Sequence, residues 1–432
     1  MPRQFRTGDQ SLVRELNRSI LLQRLRRGPP LSRADLAATT GLNKTTVSNL
    51  IDELIADGFA REIGRDASAG GRPGVLLDLN PDGGWIIGGE IAVGRLSVVV
   101  ANLRAEIAWR REAPYAKDAS LQTVLGRLDT LLLEAAADAR GSDRRLLGVG
   151  VTVPGLVDVH SGTLVFEPNM GWRDVPLEQR LRDTLHLPAF IDNDANAAAL
   201  AERYFGAAQD VDDLAYVVAN IGLGAGLVLG GQIFSGASGY AGEAGHTTID
   251  PDGPLCRCGN RGCWERLASQ RALIERVERG LQDGRASRIL SFVNGGEIDL
   301  PAILEAAREG DALARQALQE TGRHLGIGIA NLINLLNPQL VAFGGSLSLA
   351  HEFLMPAIRE VVAERAMGEL GRASRLVVSA LAADACVLGG VALVLHDRLR
   401  QPRLVRRTAD VPLPRPSSTR RVLAVANPPE GR

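Results

Sequence analysis

The chain has 432 residues, 45% of them apolar, with 49 Lys and Arg against 50 Asp and Glu and a formal net charge of -1. That length exceeds one small core and implies two or three domains. The near-neutral balance excludes a polycation that binds nucleic acid with its whole surface, so any such contact must be a local patch. No apolar run reaches the length of a membrane span, and MPRQFRTGDQ at the start lacks the apolar core of a secretory signal. Only four cysteines, three of them clustered, suit a reducing cytoplasm better than a disulfide scaffold.

Leu12, Leu16, Ile20 and Leu25 recur at helical spacing and predict a first helix that stops at Gly28-Pro29-Pro30. Ser32 has the chemistry of an N-cap for a short helix, SRADLAATT, closed by Gly41. A third helix begins near Asn43 as NKTTVSNLIDELIADG. Its stripe is Val47, Leu50, Ile51, Leu54 and Ile55, and Gly58 is its stop. This is the layout of a helix-turn-helix, whose second helix presents its first turns to the DNA major groove. Asn43, Lys44, Thr45, Thr46, Ser48 and Asn49 are therefore the candidate DNA contacts, since short amides, hydroxyls and an ammonium reach base edges or phosphates. FAREIGRDASAGGRPGVLLDLN reads as two strands around a glycine-rich loop, a wing whose tip would carry Arg72 into a narrow minor groove. Residues 1–75 hold twelve Lys and Arg against eight Asp and Glu, the sign a phosphate-facing surface needs. A helical protein–protein module would share these helices; the arginine-tipped wing favours DNA.

From Gly84 the texture changes. WIIGGEIAVGRLSVVVANL reads as a β-hairpin, LQTVLGRLDTLLLEAAADA as an amphipathic helix, and LLGVGVTVPGLVDV as strand. Such alternation describes a two-lobed α/β body with mixed sheets. Polar residues stand at its turns and strand ends: Pro154-Gly155 after a buried strand, Asn169 in EPNMGW, and Asp192-Asn193-Asp194 between an apolar strand and an Ala-rich helix. Carboxylates and amides so placed can converge on a cleft and suit a polyhydroxylated ligand. Taken alone, an NDAN run is more often a helix N-cap.

The stretch 242–265, GEAGHTTIDPDGPLCRCGNRGCWE, holds His246, Cys256, Cys258 and Cys263 between two acids, Glu243 and Glu265. One imidazole and three thiolates are the four ligands of a closed tetrahedral site, and their softness favours zinc over magnesium or calcium. Intervening glycines and prolines let the backbone bring the thiolates together. The spacing is not the paired C-x-x-C of a zinc finger. Further on, ARQALQETGRHLGIGIANLINLLNPQLVAFGGSL reads as a long helix then a strand, with Gly322, Gly326, Gly328 and Ala330 permitting close packing. LGGVALVLHDRL is a last helix returning to the first lobe, and Cys386 before it reads as a core thiol. From about Gln401 the chain is rich in Pro, Arg and Ser and reads as a disordered tail.

GEAGH followed by C-x-C-G-x-x-G-C-x-E resembles the signature of the ROK family of repressors, open reading frames and sugar kinases, and the resemblance runs from about Arg14 to His396. It implies an α/β protein with a winged helix-turn-helix in residues 1–80 and a two-lobed actin-like body in 84–400. The first lobe would be about 84–193 plus 386–400, the second about 194–385. In that family the histidine matching His246 ligates structural zinc and contacts a sugar hydroxyl. The acids matching Glu243 and Glu265 bind the sugar, and the aspartate matching Asp194 is the kinases' general base. Asn169, Asn193, Asp194, Glu243, His246 and Glu265 are then the expected sugar ligands.

The phosphate loops depart from the kinase pattern. Glu90-Ile91-Ala92-Val93-Gly94-Arg95 stands where the family's kinases have acid-x-Gly-Gly-Thr-Lys, and Gly222-Leu223-Gly224-Ala225-Gly226 has Leu for Thr. Side chains at Ala92 and Val93 would crowd phosphate, and two hydroxyls are missing. Phe343-Gly344-Gly345-Ser346 resembles the adenosine-side turn but suits a structural turn equally. This decay resembles the family's xylose-type and N-acetylglucosamine-type repressors. The expectation is a cytoplasmic, sugar-responsive repressor rather than an enzyme. It would bind a palindromic operator as a homodimer or homotetramer, with structural zinc and no membrane partner. Two rivals are an ATP-dependent sugar kinase with an attached DNA-binding domain, and a zinc-responsive regulator. A buried set of three thiolates binds metal too tightly for the latter.

Overall fold

The computed structural model describes residues 10–65, 74–116, 118–293 and 296–399. The wing tip with Arg72 and the tail from Gln401 lie outside the described residues.

The N-terminal unit comprises α1 (Gln10–Arg27), β1 (Leu31–Ser32), α2 (Arg33–Thr40), α3 (Lys44–Ala56), β2 (Ala60–Arg65) and β3 (Val75–Leu79). Local chemistry sets its boundaries. Ser32 and Asp35 form a reciprocal capping box at the start of α2, and Gly41 at φ 72° closes it. The side-chain oxygen of Asn43 accepts the amide of Thr46 at 2.7 Å and starts α3. Val47, Leu50, Ile51 and Leu54 are buried as the periodicity requires. β2 and β3 pair antiparallel, and β1 adds to β3, so the two expected strands belong to a three-stranded wing sheet. In α1 the buried face is Leu21, Leu22 and Leu25, while Leu12, Leu16 and Ile20 are only half-buried. The reason is that α1 is enclosed on two sides, by α2, α3 and β3 and by the helix Ala385–Leu399 of the body.

The body begins with β4 (Trp85–Ala92), β5 (Arg95–Asn102), β6 (Ile107–Pro114), α4 (Leu121–Gly141), β7 (Leu146–Val153), β8 (Leu156–Asp158), β9 (Thr163–Glu167), β10 (Trp172–Val175), α5 (Leu177–Leu185) and β11 (Ala189–Asn193). Its sheet has the order β11-β7-β4-β5-β6, with β7 parallel to both neighbours. Then follow α6 (Asp194–Phe205), β12 (Leu214–Ala219), β13 (Leu223–Leu229), β14 (Gln232–Ile233), the cysteine-bearing loop, α7 (Trp264–Ala268), α8 (Gln270–Gln282), α9 (Leu300–Arg308), α10 (Ala312–Leu336), β15 (Leu340–Gly344), α11 (His351–Arg365), α12 (Gly368–Ala373), β16 (Arg375–Val378) and α13 (Ala385–Leu399). The second sheet has the order β14-β13-β12-β15-β16. Each sheet carries helices, and α13 returns to pack on β4, β7 and β11. Among the described residues no helix is long and apolar enough to cross a membrane.

One apolar cluster runs unbroken from Leu21, Leu22, Leu25 and Leu54 of the N-terminal unit to Leu147, Leu395 and Leu399 of the body. Burying the three α1 leucines is worth on the order of 5 kcal/mol. Polar contacts pin the same joint: Ser19 Oγ donates to Leu399 O at 2.5 Å, and Arg26 Nη1 donates to Tyr204 O at 2.8 Å.

Candidate metal centre and interlobe cleft

β11 ends in the NDAN run, and the structure bears out its N-cap reading. Asn193 is the N-cap, its oxygen accepting the amides of Ala195 at 2.9 Å and Asn196 at 3.3 Å, and its amide donates to Gly155 O at 3.0 Å. Asp194 is not needed for that cap. Burial raises its carboxyl to about 6; the Ala195 amide opposes the rise and the charge of Glu243 adds to it. Asp192 is also raised to about 6 by burial, against the hydrogen bond from Asn196.

Asn169 lies in the turn between β9 and β10. The fully buried Glu167 accepts the amides of Met170 and of the Asn169 side chain, which fixes the turn. Asn169 Oδ1 then accepts from Arg257 Nη1 at 3.0 Å, linking the first lobe to the cysteine loop. Sequence reasoning missed both Glu167 and Arg257. The available signal was an acid two residues before Asn169 and the long cation between Cys256 and Cys258.

The cysteine loop is shaped by its backbone. Cys256 N donates to Asn260 O at 2.7 Å and Gly259 N to Cys256 O at 3.0 Å, a tight turn that brings Cys258 back. Gly262 sits at φ 59°, and a Cβ there would lie 1.5 Å from Asp250 O, so only glycine is accommodated. Next along, Trp264 is fully buried, and its Nε1 donates to His324 O of α10 at 2.9 Å. The ligand atoms of His246, Cys256, Cys258 and Cys263 all lie within 4.8 Å of one another. His246 Nδ1 is 3.7 Å from Cys256 Sγ, and the sulfurs of Cys258 and Cys263 are 3.6 Å apart. A tetrahedral ion with bonds of about 2.0–2.3 Å places its ligands roughly 3.5–3.8 Å apart. The cluster fits a metal ion, and burial that pushes the Cys263 thiol up to about 12 disfavours bare thiolate there.

With Nδ1 facing the cysteines, His246 Nε2 faces Glu243, 3.8 Å from its Oε2. Burial raises the Glu243 carboxyl, with His246 opposing and Glu265 adding. Glu265 Oε2 accepts the amide of Leu223 at 3.1 Å. Asn169, Gly222, Cys256, Arg257 and Glu265 line a cavity of about 270 Å³.

Val93 and Gly94 are a two-residue hairpin turn between paired Ala92 and Arg95. The Tyr115 hydroxyl donates to Ala92 O at 2.6 Å, and Arg95 is paired with Glu90 at 3.2 Å and Glu112 at 3.3 Å. The cation at the position of the kinase lysine is thus neutralised within the protein, while burial raises Glu90 to about 7. Leu223 is buried in the core of the second lobe, 6% exposed. At the Phe343–Ser346 turn, Ser346 N donates to Asn220 Oδ1 at 2.7 Å and its hydroxyl to Gln270 Oε1 at 2.5 Å, which ties the turn to the β12–β13 connection and to α8.

On α3, Lys44, Thr45 and Asn49 are exposed, and Thr46 and Ser48 are half-buried. Asn43 has spent its oxygen on the cap, so only its amide protons remain for DNA. The positive excess of this unit is not all on that face: Arg14, Arg18 and Arg33 pair with Glu53, Asp57, Asp52 and Glu62. Arg61 and Arg65, exposed on β2, are cations near the wing that the sequence reading passed over.

Comparison with known proteins gives these features a common origin. The ROK family model matches residues 87–397, and that of the MarR family matches residues 15–70. The chain belongs to the ROK family. The putative xylose repressor of Caldicellulosiruptor sp. (strain Rt8B.4) is 39% identical over 398 residues, covering 92% of this chain and 100% of that protein. The crystal structure of a ROK family transcriptional regulator, a homolog of E. coli MLC protein, is 30% identical with a TM-score of 0.77, and the match covers 90% of this chain and 97% of that one. A ROK family glucokinase from Streptomyces griseus, in complex with glucose and AMPPNP, is 32% identical with a TM-score of 0.64. It covers 72% of this chain against 99% of its own. The ROK regulator thus accounts for an additional share of the chain about the size of the winged N-terminal unit.

Proposed function

We propose that this ROK protein is a sugar-responsive DNA-binding transcriptional regulator that represses genes of carbohydrate uptake or catabolism until a sugar fills the interlobe cleft. What supports this reading is a winged helix-turn-helix packed onto a ROK body in which the cluster of His246, Cys256, Cys258 and Cys263 adjoins a cavity lined by Asn169 and Glu265. The sugar ligands are Asn169, Asn193, Asp194, Glu243, His246 and Glu265, each able to bond several hydroxyls. Zinc, held by His246, Cys256, Cys258 and Cys263, has a structural role: it orients the His246 ring toward the sugar. A relative named as a xylose repressor makes pentoses the first candidates. Operator DNA is bound by α3 through Lys44, Thr45, Thr46, Ser48, Asn49 and the amide of Asn43, with Arg72 on the wing. Two copies read a palindrome in the cytoplasm.

Helix α6 supplies the coupling. Its twelve residues span about 18 Å, with Asp194 at the cleft end and Tyr204 at the other. Arg26 of α1 stacks on the Tyr204 ring at 4.4 Å, and the Tyr204 hydroxyl meets His396 Nδ1 of α13 at 3.0 Å. Displacement of α6 by sugar is therefore passed to α1 and to the spacing of the DNA-binding units. Moving that equilibrium from 1:99 to 99:1 requires the sugar to prefer one state by about 5.5 kcal/mol. Gel-shift titration of a selected operator against pentoses, hexoses and amino sugars is the test. If no sugar alters operator affinity, the effector reading is wrong. The kinase reading rests on the match of Asp194 to the general base of the family's kinases, and ADP release dependent on Asp194 would establish it.

A further inference from the structure

A second cavity, of about 390 Å³, lies at the joint between the winged unit and the body and shares no residue with the cleft. That size falls in the range of small-molecule sites. Its floor is apolar and comes from both sides: Leu22 of α1 and Leu79 of β3 face Leu103, Leu147 and Leu399 of the body, all of them buried. Its charged lining is unbalanced, with Arg18, Arg145 and Arg398 against the single acid Asp57. Arg18 takes that acid. Arg145 donates to Asp57 O at 3.0 Å and Arg398 to Leu147 O at 2.9 Å. Both of these guanidinium groups are on exposed residues, and among the described residues neither forms an ion pair with a carboxylate.

We propose that this cavity is a second ligand site, for a small monocarboxylate with an apolar body, such as an aryl-alkanoic or medium-chain acid. The leucine floor takes the apolar body and excludes bare hydrated ions. The guanidinium groups of Arg145 and Arg398 take the carboxylate, for which their planar donor geometry is matched. An occupant touches the winged unit and the body at once. It braces the arrangement of the two, and so changes DNA affinity without entering the sugar cleft.

The test is calorimetric titration of the full-length, zinc-loaded protein with 4-phenylbutyrate, 4-phenylbutan-1-ol and inorganic phosphate. The acid should bind one per chain, with the alcohol and phosphate each roughly tenfold weaker or worse. Arg145→Gln with Arg398→Gln should weaken the acid by roughly tenfold, Leu146→Trp should fill the cavity and abolish binding, and Arg372→Gln on the exposed α12 should leave it unchanged. If the double variant melts early, Arg398→Gln alone decides, since Arg145 also stacks over the Phe59 ring at 5.8 Å and Arg398, among the described residues, holds only a main-chain carbonyl. Equal binding of acid and alcohol, equal binding of acid and phosphate, no binding of the acid, or full binding by the Leu146→Trp variant each overturns the proposal.

Discussion

Asp194→Asn should make the sugar-free protein more stable while abolishing its response to sugar. Burial lifts this carboxyl from an ordinary 3.8 to about 6. At about 1.4 kcal/mol for each pKa unit, the rise of roughly two means that ionising Asp194 opposes folding by up to about 3 kcal/mol. Because the folded value is the higher one, the stability this group contributes is full below about pH 4 and is lost as pH climbs through 6. Two effects reduce the gain from removing the charge. A negative group in the first turn of α6 is favoured by the helix end by up to about 1 kcal/mol, and solvent in the open cleft screens the rest. Asparagine keeps an oxygen for the Ala195 amide, which Asp194 Oδ1 accepts at 2.9 Å, so no hydrogen bond is lost. The net expectation is about 1–2 kcal/mol of added stability at pH 7.5, fading by pH 4.5. Denaturant melts at both pH values measure it, with sugar calorimetry alongside. A variant that is no more stable at pH 7.5, or one whose gain is the same at both, would refute the view that the cleft holds a strained carboxylate.

Gly328→Ala places a methyl 2.0 Å from the Trp264 ring. It should cost about 1–3 kcal/mol by overpacking and loosen the metal loop, which denaturant melts and elemental analysis after dialysis would register; undiminished metal retention counts against Trp264 as the loop's anchor. Cys258→Ser, or a strong chelator, should remove one zinc per chain and weaken sugar binding through the freed His246 ring, with α3 still able to bind operator; unchanged sugar affinity in a metal-free protein would separate the two sites. Lys44→Ala should weaken binding to operator and random DNA alike and lower the log–log salt slope by about one. A loss confined to the operator would instead make Lys44 a reader of base edges.

The legible parts of the chain were those whose chemistry is local. Ser32, Gly41 and Asn43 set helix ends through bonds to residues three or four away, and the cysteine loop announces itself because three thiols recur within a few positions. What stayed hidden depends on residues far apart. The burial of Leu21 and Leu22 rather than Leu16 and Ile20 follows from α13 closing on α1, some 380 residues later as the Ser19–Leu399 contact shows. The inward turn of Leu223 is fixed by which side of β13 faces the second-lobe core, which alternation in a glycine-rich run does not reveal. Arg257 reads as a surface cation until Asn169 is found beside it, 88 positions away. Likewise, a count of arginines in the first 75 residues measures charge but not direction, and several of them turn out to face acids.

The unbroken apolar cluster from α1 to Leu399 also bears on how such regulators diversify. A reading head that hid its greasy side within itself could be cut off and joined to another sensor. Here Leu21, Leu22 and Leu25 are covered in part by the final helix, so a chimera joined near Gly84 would bare them unless the recipient brought a matching last helix. Head and sensor are therefore expected to change as a pair, through compensating substitutions in α1 and α13, and a swap that transfers residues 1–80 together with α13 should give soluble protein where a swap of the head alone aggregates.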